Sequence, residues 1–301
     1  MNLQERVGQR VVVVTGASSG IGEALARRLG AADAKVVLVA RSKDKLDELK
    51  SDIQSRGGTA FAYPCDLADA EDTQRTITAI LSDLGGVDIL VNNAGMSIRR
   101  SVAKSYDRVH DFERTLALNF LGAVRLIMGF LPGMRERGRG HILNVSTVAV
   151  QVSVPRYGAY VASKAALDAF SKIVAVEGFG DGVKVTTIYM PLVKTPMMET
   201  TTIYRAFPMR SAEEAAELVV DGIVKQPKRV ATRAGSLFEL AHGVAPSVID
   251  RVLHAGYRLY PDSGRVDDMR EPTDRDAAVF KRVFNAVTRR SRETATKETR
   301  P

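Results

Sequence analysis

The chain reads as an α/β protein built on a doubly wound parallel sheet. Three features carry that expectation. Short β-branched runs alternate with helical patterns along most of the 301 residues, the signature of strands joined by helical crossovers. The first two of those runs, 10–15 and 35–40, are near-continuously apolar instead of alternating, so these strands are buried on both faces. The first run leads into a glycine-rich turn and then a helix.

Residues 10–15, Arg-Val-Val-Val-Val-Thr, form the first strand. Gly16-Ala-Ser18-Ser19-Gly20-Ile21-Gly22 follows, then a helical pattern over 23–29. Glycines let the backbone approach a pyrophosphate, and the helix N-terminus offers unpaired N–H groups and partial positive charge. A second strand over 35–40 ends at Arg41. In a dinucleotide-binding fold an acid at this point holds the ribose 2′-hydroxyl, whereas a basic residue accommodates a 2′-phosphate. Arg41, with Lys45 nearby, therefore points to NADPH over NADH.

A short third strand, 60–63, precedes Cys65 and Asp66. Asp66 either contacts an adenine or caps the helix that begins near Asp69. Cys65 has no neighbouring histidine and reads as packing, not as a nucleophile. The fourth strand, 87–91, ends in Asn92-Asn93-Ala94-Gly95, small and amide residues suited to a backbone packed against a ligand. Beyond it Arg99, Arg100, Lys104 and Arg108 stand among Asp107, Asp111 and Glu113. They are either surface ion pairs or an anion site for a phosphorylated substrate.

A long helix over 112–137 carries Asn119. The fifth strand, 141–146, ends in Ser146-Thr147, and an apolar lip spans 148–154. The next helix, 157–176, holds Tyr160 and Lys164, whose four-residue spacing puts them on one face. A cation beside the phenol favours the phenolate and lowers the tyrosine pKa toward working pH, as proton exchange with a carbonyl or alcohol requires. The sixth strand, 183–189, opens into a loop containing Pro191 and Thr195. An apolar stretch, 197–209, is followed by a capping box at Ser211 and Glu214 and a short seventh strand over 229–232. Residues 237–260 read as broken helices with exposed apolar side chains. The pattern gives one catalytic domain over 1–260, with a substrate lid at about 191–210. Residues 261–301 form a charged extension whose end is disordered.

Formal net charge is +8, but residues 281–301 hold seven basic and two acidic side chains, so the body is only mildly basic. That excludes a nucleic-acid groove as the first reading. A single cysteine excludes a disulfide framework and fits a reducing cytoplasm. The first ten residues are polar, unlike a secretory leader. No apolar run approaches the roughly 20 residues that span a bilayer.

Thr15-Gly16-x-x-x-Gly20-x-Gly22, Asn92-Asn93-Ala94-Gly95, Asn119, Ser146 and Tyr160-x-x-x-Lys164 resemble the short-chain dehydrogenase/reductase family. The likeness covers about residues 8–232, in the family's order. It implies a Rossmann-type doubly wound sheet with a helical C-terminal extension. It also implies Tyr160 as general acid, Ser146 polarising the carbonyl, Lys164 on the nicotinamide ribose, and Asn119 positioning a proton-relay water. The cofactor-binding set it implies is Gly16, Ser18, Ser19, Gly20, Ile21, Gly22, Arg41, Asp66, Leu67, Asn93, Ala94, Gly95, Tyr160, Lys164, Pro191, Val193 and Thr195. Leu192 stands where the family often has glycine.

A narrower likeness covers residues 92–100, Asp111-Phe112-Glu113-Arg114, 160–170, 189–197, 213–217 and 229–232. These segments resemble bacterial long-chain fatty acyl-CoA reductases, which form fatty aldehydes with NADPH. Related actinobacterial reductases act instead on β-keto esters of very long chains. Val150, Val152, Met197, Met198, Ile203, Tyr204 and Phe207 suit an acyl chain, or equally an ordinary lid. A non-catalytic NADPH-binding protein is the contrasting reading, against which Ser146, Tyr160 and Lys164 stand. The resemblance further implies a homodimer or homotetramer through the Phe112 and Tyr160 helices. Residues 237–260 read first as a lid packed on the enzyme's own core or on a partner subunit, and with the basic tail they also allow peripheral membrane contact.

Overall fold

The computed structural model describes residues 1–199 and 209–259. Among them, seven strands form one parallel sheet: β1 (Val11–Thr15), β2 (Lys35–Ala40), β3 (Thr59–Pro64), β4 (Ile89–Asn92), β5 (Gly140–Thr147), β6 (Val183–Met190) and β7 (Arg229–Val230). Their order is β3-β2-β1-β4-β5-β6-β7. The chain winds outward from β1 to β3, then returns to the other side of β1 with β4. This reversal opens a crevice at the carboxyl ends of β1 and β4, with Thr15 paired to Val39 and Asn92 to Asn144.

β1 explains the layering. Val12 and Val14 enter one apolar cluster with Leu25, Leu29 and Leu38, while Val11 and Val13 enter another with Ile77, Ile80 and Phe130. Successive strand residues face opposite sides, so a strand apolar at every position needs cover on both. Each fully buried side chain of this kind contributes about 1.5–3 kcal/mol. The cover on the first side comes from α1 (Leu3–Val7), α2 (Gly20–Gly30) and α3 (Lys43–Ser55). On the second side lie α4 (Ala70–Leu84) and a long helix made of α5 (Val109–Leu116) and α6 (Ala123–Glu136). The remaining helices are α7 (Val148–Val152), α8 (Gly158–Glu177), α9 (Pro196–Glu199), α10 (Ala212–Lys225), α11 (Arg233–Val244) and α12 (Pro246–Leu259). α8 packs on the second side and α10 on the first.

Several expectations are corrected in detail. The helix expected over 112–137 starts at Val109, and a π-helical turn at Ala117–Gly122 joins α5 to α6. Such turns insert an extra residue and often mark functional sites; this one holds Asn119. Against the expectation of no membrane-length segment, the helix Val109–Glu136 is long and apolar enough to cross a bilayer. In this fold its Leu126, Ile127, Phe130 and Met134 are buried against the sheet. The apolar lip is the helix α7, capped by Thr147, whose Oγ1 accepts from Ala149 N at 3.2 Å. β7 stops at Val230 because Thr232 instead caps α11, accepting from Gly235 N at 3.1 Å. The capping box at Ser211 and Glu214 is formed as expected, with bonds of 3.1 and 2.8 Å. Residues 237–260 divide between α11 and α12, with Pro246 opening α12. The central part of the expected lid, 200–208, and the extension 261–301 lie outside the described residues.

Candidate active site

A cavity of about 810 Å³ opens at the carboxyl ends of the strands. Its floor is the glycine turn after β1. Gly16 takes φ +67°, a conformation few side chains tolerate. A Cβ on Gly22 would lie 2.2 Å from the Gly16 carbonyl oxygen, so α2 can start this close to the turn only with glycine there. Thr15 locks the turn to the loop after β4. Its Oγ1 donates to Val91 O at 3.2 Å and accepts from Asn93 N and Ala94 N, each at 2.9 Å. Asn93 Nδ2 donates back to Thr15 O at 2.9 Å.

Ser18, Ser19, Gly20 and Ile21 line the cavity, and Gly22 packs beneath them. Ser19 precedes α2 without a side-chain cap bond, so the first N–H groups of the helix are available to an anion. Arg41 and Ser42 stand on the rim, Arg41 with its side chain exposed. Asp66 and Leu67 close the wall beyond β3. The alternatives for Asp66 resolve in part: Asp69 caps α4, accepting from Asp72 N at 2.8 Å, while Asp66 Oδ1 accepts from Ala68 N at 3.0 Å. Asp66 thus shapes the turn that places it on the cavity. Asn93, Ala94, Gly95, Pro191, Val193 and Thr195 complete this half.

The other half gathers the reactive hydroxyls. Ser146 is 2% exposed and lines the cavity, and among the described residues its Oγ has no hydrogen-bond partner. A buried hydroxyl left unpaired is costly unless a ligand atom completes it. Tyr160, on α8, lines the same space. Lys164 is 3% exposed and its Nζ donates to Val145 O at 2.8 Å. The expected effect of Lys164 on Tyr160 is not what this geometry produces. Burial pushes the Tyr160 hydroxyl above its ordinary value, outweighing the Thr147 side-chain hydrogen bond, which acts in the opposite sense. Burial also lowers Lys164 to about 8. Helical spacing reveals adjacency but not desolvation, and here desolvation dominates. A tyrosine held protonated suits proton donation.

Asn119 is brought close to these groups but does not line the cavity. Its Nδ2 donates to Met96 O and to Ser163 Oγ, each at 2.9 Å, and its Oδ1 accepts from Met96 N at 2.8 Å. The side chain is a strut between the loop after β4 and α8. Behind it, Asn92 Nδ2 donates to Asn144 Oδ1 at 2.8 Å, and Asn144 Nδ2 to Ser171 Oγ at 2.7 Å. These buried amides tie β4 and β5 to α8.

The basic stretch resolves toward pairing. Arg100 and Arg114 bond to Asp111, and Arg108 lies within ion-pair distance. Burial works to raise the Asp111 pKa, but bonds from Arg114 and Arg100 outweigh it and hold the carboxyl below its usual range.

The apolar walls come partly from the C-terminal helices. Val152 and Met197 line the cavity as expected, whereas Val150 does not. The side chain of Met198, and all of Ile203, Tyr204 and Phe207, fall outside what the structure describes. Phe238 of α11 and Val252 and Leu253 of α12 supply a wall instead. α11 is held there by Glu239, which accepts from Gln151 of α7 at 3.0 Å and pairs with Arg229. The Arg229 guanidinium lies 4.6 Å above the Tyr189 ring, whose hydroxyl donates to Asp168 of α8 at 2.7 Å.

Cys65 is buried at the cavity wall, and burial raises its thiol pKa, so the reactive thiolate is disfavoured. Cys65→Ala is therefore expected to keep turnover within about twofold of wild type, since the buried thiol is not available as a nucleophile. Trapping a covalent substrate adduct on Cys65 by mass spectrometry, together with loss of activity in the variant, would reverse that assignment.

Lys164 sets a pH dependence of stability. Its folded value, about 8, lies below the ordinary 10.5, so the unfolded chain binds the extra proton between these limits. The burial penalty is absent above pH 10.5 and fully present below pH 8. Relative to Lys164→Met, wild type should gain stability between pH 7 and pH 10. Urea midpoints of both proteins at the two pH values measure this, and an unchanged difference would mean the lysine keeps its ordinary value.

A glycine cradle, a topological switch point and a Ser–Tyr–Lys constellation together define a dinucleotide-dependent oxidoreductase site. The family model described as short chain dehydrogenase matches residues 10–205, and the chain belongs to that family. It is 48% identical over 276 residues to an uncharacterised oxidoreductase of Mycobacterium bovis, covering 91% of this chain and 81% of the relative. It is 47% identical over 260 residues to a fatty acyl-CoA reductase of Acinetobacter baylyi, covering 86% and 88%. Among solved structures, L-sorbose reductase from Gluconobacter frateurii, complexed with NADPH and L-sorbose, superposes with a TM-score of 0.68 at 29% identity. That match covers 74% of this chain and 94% of the reductase. The protein is an oxidoreductase using a nicotinamide cofactor.

Proposed function

We propose that this protein reduces the thioester carbonyl of a long-chain fatty acyl-CoA to the aldehyde, with NADPH as reductant. The observation that carries the reading is the unpartnered Ser146 hydroxyl beside Tyr160, in a cavity also walled by Val152, Phe238, Val252 and Leu253. Polar groups that fix one oxygen and apolar walls that take a chain suit an acyl carbonyl. The 47% identity to a fatty acyl-CoA reductase supports the thioester over other carbonyls. The NADPH-bound relative and Arg41 on the rim support the phosphorylated cofactor.

The residues present fit the cofactor. Gly16 and Gly22 leave room for its pyrophosphate, the start of α2 offers N–H groups, and Arg41 faces the end where a 2′-phosphate would lie. Lys164 and Tyr160 would hold the nicotinamide ribose, and Pro191, Val193 and Thr195 the nicotinamide end. Bound there, NADPH supplies a hydride to the carbonyl carbon. Ser146 donates a hydrogen bond to the carbonyl oxygen, holding it within reach of Tyr160. Tyr160 gives that oxygen its proton as negative charge develops, forming a hemithioacetal. The hemithioacetal C–S bond then breaks, the hydroxyl proton leaves, and CoA departs as the thiol. The balance is acyl-CoA, NADPH and one proton giving aldehyde, CoA and NADP⁺. Asn119 acts through others, fixing the Met96 loop and Ser163.

A homodimer or homotetramer is part of the same proposal. Leu121 and Met128 on the long helix and Ile173 and Val176 on α8 are exposed and apolar, as subunit contacts require. Light scattering in solution tests it, with a monomer mass as the contrary result.

The functional test is a panel of acyl-CoAs of increasing chain length beside β-keto esters, with NADPH and product identification by mass. Fatty aldehyde from the longer acyl-CoAs is expected. Hydroxy esters from the β-keto panel alone would replace thioester reduction with ketone reduction. No oxidation of NADPH with any carbonyl would leave a non-catalytic binding protein.

A further inference from the structure

α11 is apolar on two faces. Its Phe238 points to the cavity, together with Val252 and Leu253 of α12. On the other side Leu237, Leu240 and Val244 are 66%, 64% and 78% exposed, and Val248 of α12 is 57% exposed. Arg233, Leu237, Leu240 and Val244 recur at steps of four, three and four, which is one helix face. A helix in a water-soluble fold normally solvates the face it does not bury. Exposed patches of this kind with a polar rim mark interaction surfaces.

The rim identifies the partner's charge. Arg233 heads the apolar row, and Arg251 and Arg258 are exposed on α12. Of the acids on this pair of helices, Glu239 is paired with Arg229, and Asp250 accepts from His242 in a contact of 3.3 Å that ties α12 to α11. The outer surface is therefore apolar with a net positive border. That combination suits an anionic lipid surface, where apolar side chains enter the acyl boundary and arginines meet the headgroups.

We infer that α11 and α12 dock the protein on an anionic membrane surface, with Leu237, Leu240, Val244 and Val248 inserted and Arg233, Arg251 and Arg258 at headgroup level. The same two helices then separate the bilayer from the cavity and form the wall past which a long acyl chain enters. This inference rests on the acyl reading for the purpose of docking, but vesicle binding is measured without turnover.

The test is flotation of the full chain with vesicles of phosphatidylglycerol and phosphatidylcholine, compared with phosphatidylcholine alone, at low and high salt. Wild type is expected to float with the anionic vesicles at low salt. The triple variant Leu237→Ser, Leu240→Ser, Val244→Ser should lower the bound fraction about tenfold or more. Arg251→Glu should lower it about fivefold. Both variants should turn over a short, soluble acyl-CoA at the wild-type rate, which shows that they are folded. Failure of wild type to float overturns the inference. Equal flotation of the triple variant also overturns it and moves any lipid contact elsewhere in the chain. A triple variant with altered mass by light scattering and unaltered flotation assigns the row to a second copy of the chain. If docking holds while no acyl substrate is reduced, the lipid surface stands and the acyl reading falls.

Discussion

Tyr160→Phe is expected to lower turnover by about 10²- to 10⁴-fold while NADPH binds as in wild type. The phenol lines the same cavity as Ser146, whose Oγ has no hydrogen-bond partner among the described residues, and burial keeps it protonated. Phenylalanine keeps the ring, including its edge contact with Tyr157 at 6.4 Å between centroids, so packing is conserved. What disappears is the proton and its hydrogen bond to the carbonyl oxygen. Steady-state rates and cofactor titration by fluorescence separate the two effects. Turnover within a few-fold of wild type would remove Tyr160 from the proton-donor role. Loss of cofactor binding equal to the loss of rate would make its role one of binding.

Arg41→Ala is expected to weaken NADPH by about ten- to 150-fold and to leave NADH nearly unchanged. A charge-assisted bond to a phosphate contributes about 1.5–3 kcal/mol, and only NADPH carries the 2′-phosphate. Arg41 sits at the end of β2 on the cavity rim, where the polypeptide places the ribose discriminator in such folds. Parallel titrations of both cofactors against wild type and variant decide the matter. Equal losses for NADPH and NADH would give Arg41 a structural role and leave the cofactor preference to other residues.

The sheet was readable because its central strands β1, β2 and β4 are near-continuous apolar runs, and such runs have one stable environment, between two layers of helices. The glycine turn and the Tyr160–Lys164 spacing were readable because backbone approach and helix periodicity leave local marks. Other features leave none. The π-turn around Asn119 arises where the long helix bends its register to reach Met96, a tertiary contact that the apolar pattern of 112–137 does not encode. The direction of the Tyr160 shift depends on how deeply the phenol is buried, which spacing alone does not report. The arginines after β4 read as ion pairs first and as an anion site second, and the choice is made only by Asp111, 2% exposed beneath them. Phe238, Val252 and Leu253 were visible as apolar, but α11 has two apolar faces, so periodicity gave no way to tell wall from surface.

The central claim is that hydride enters the thioester carbonyl carbon directly, with Tyr160 as proton donor and no acyl-enzyme. The most direct measurement supplies NADPH deuterated at either face of nicotinamide C4 with a long-chain acyl-CoA, and reads the product by mass spectrometry. Aldehyde with one deuterium at C1 from one of the two labelled cofactors, free CoA in equal amount, and unmodified Cys65 are expected. Aldehyde without deuterium at C1, no aldehyde at all, or an acyl group carried on the protein would contradict it.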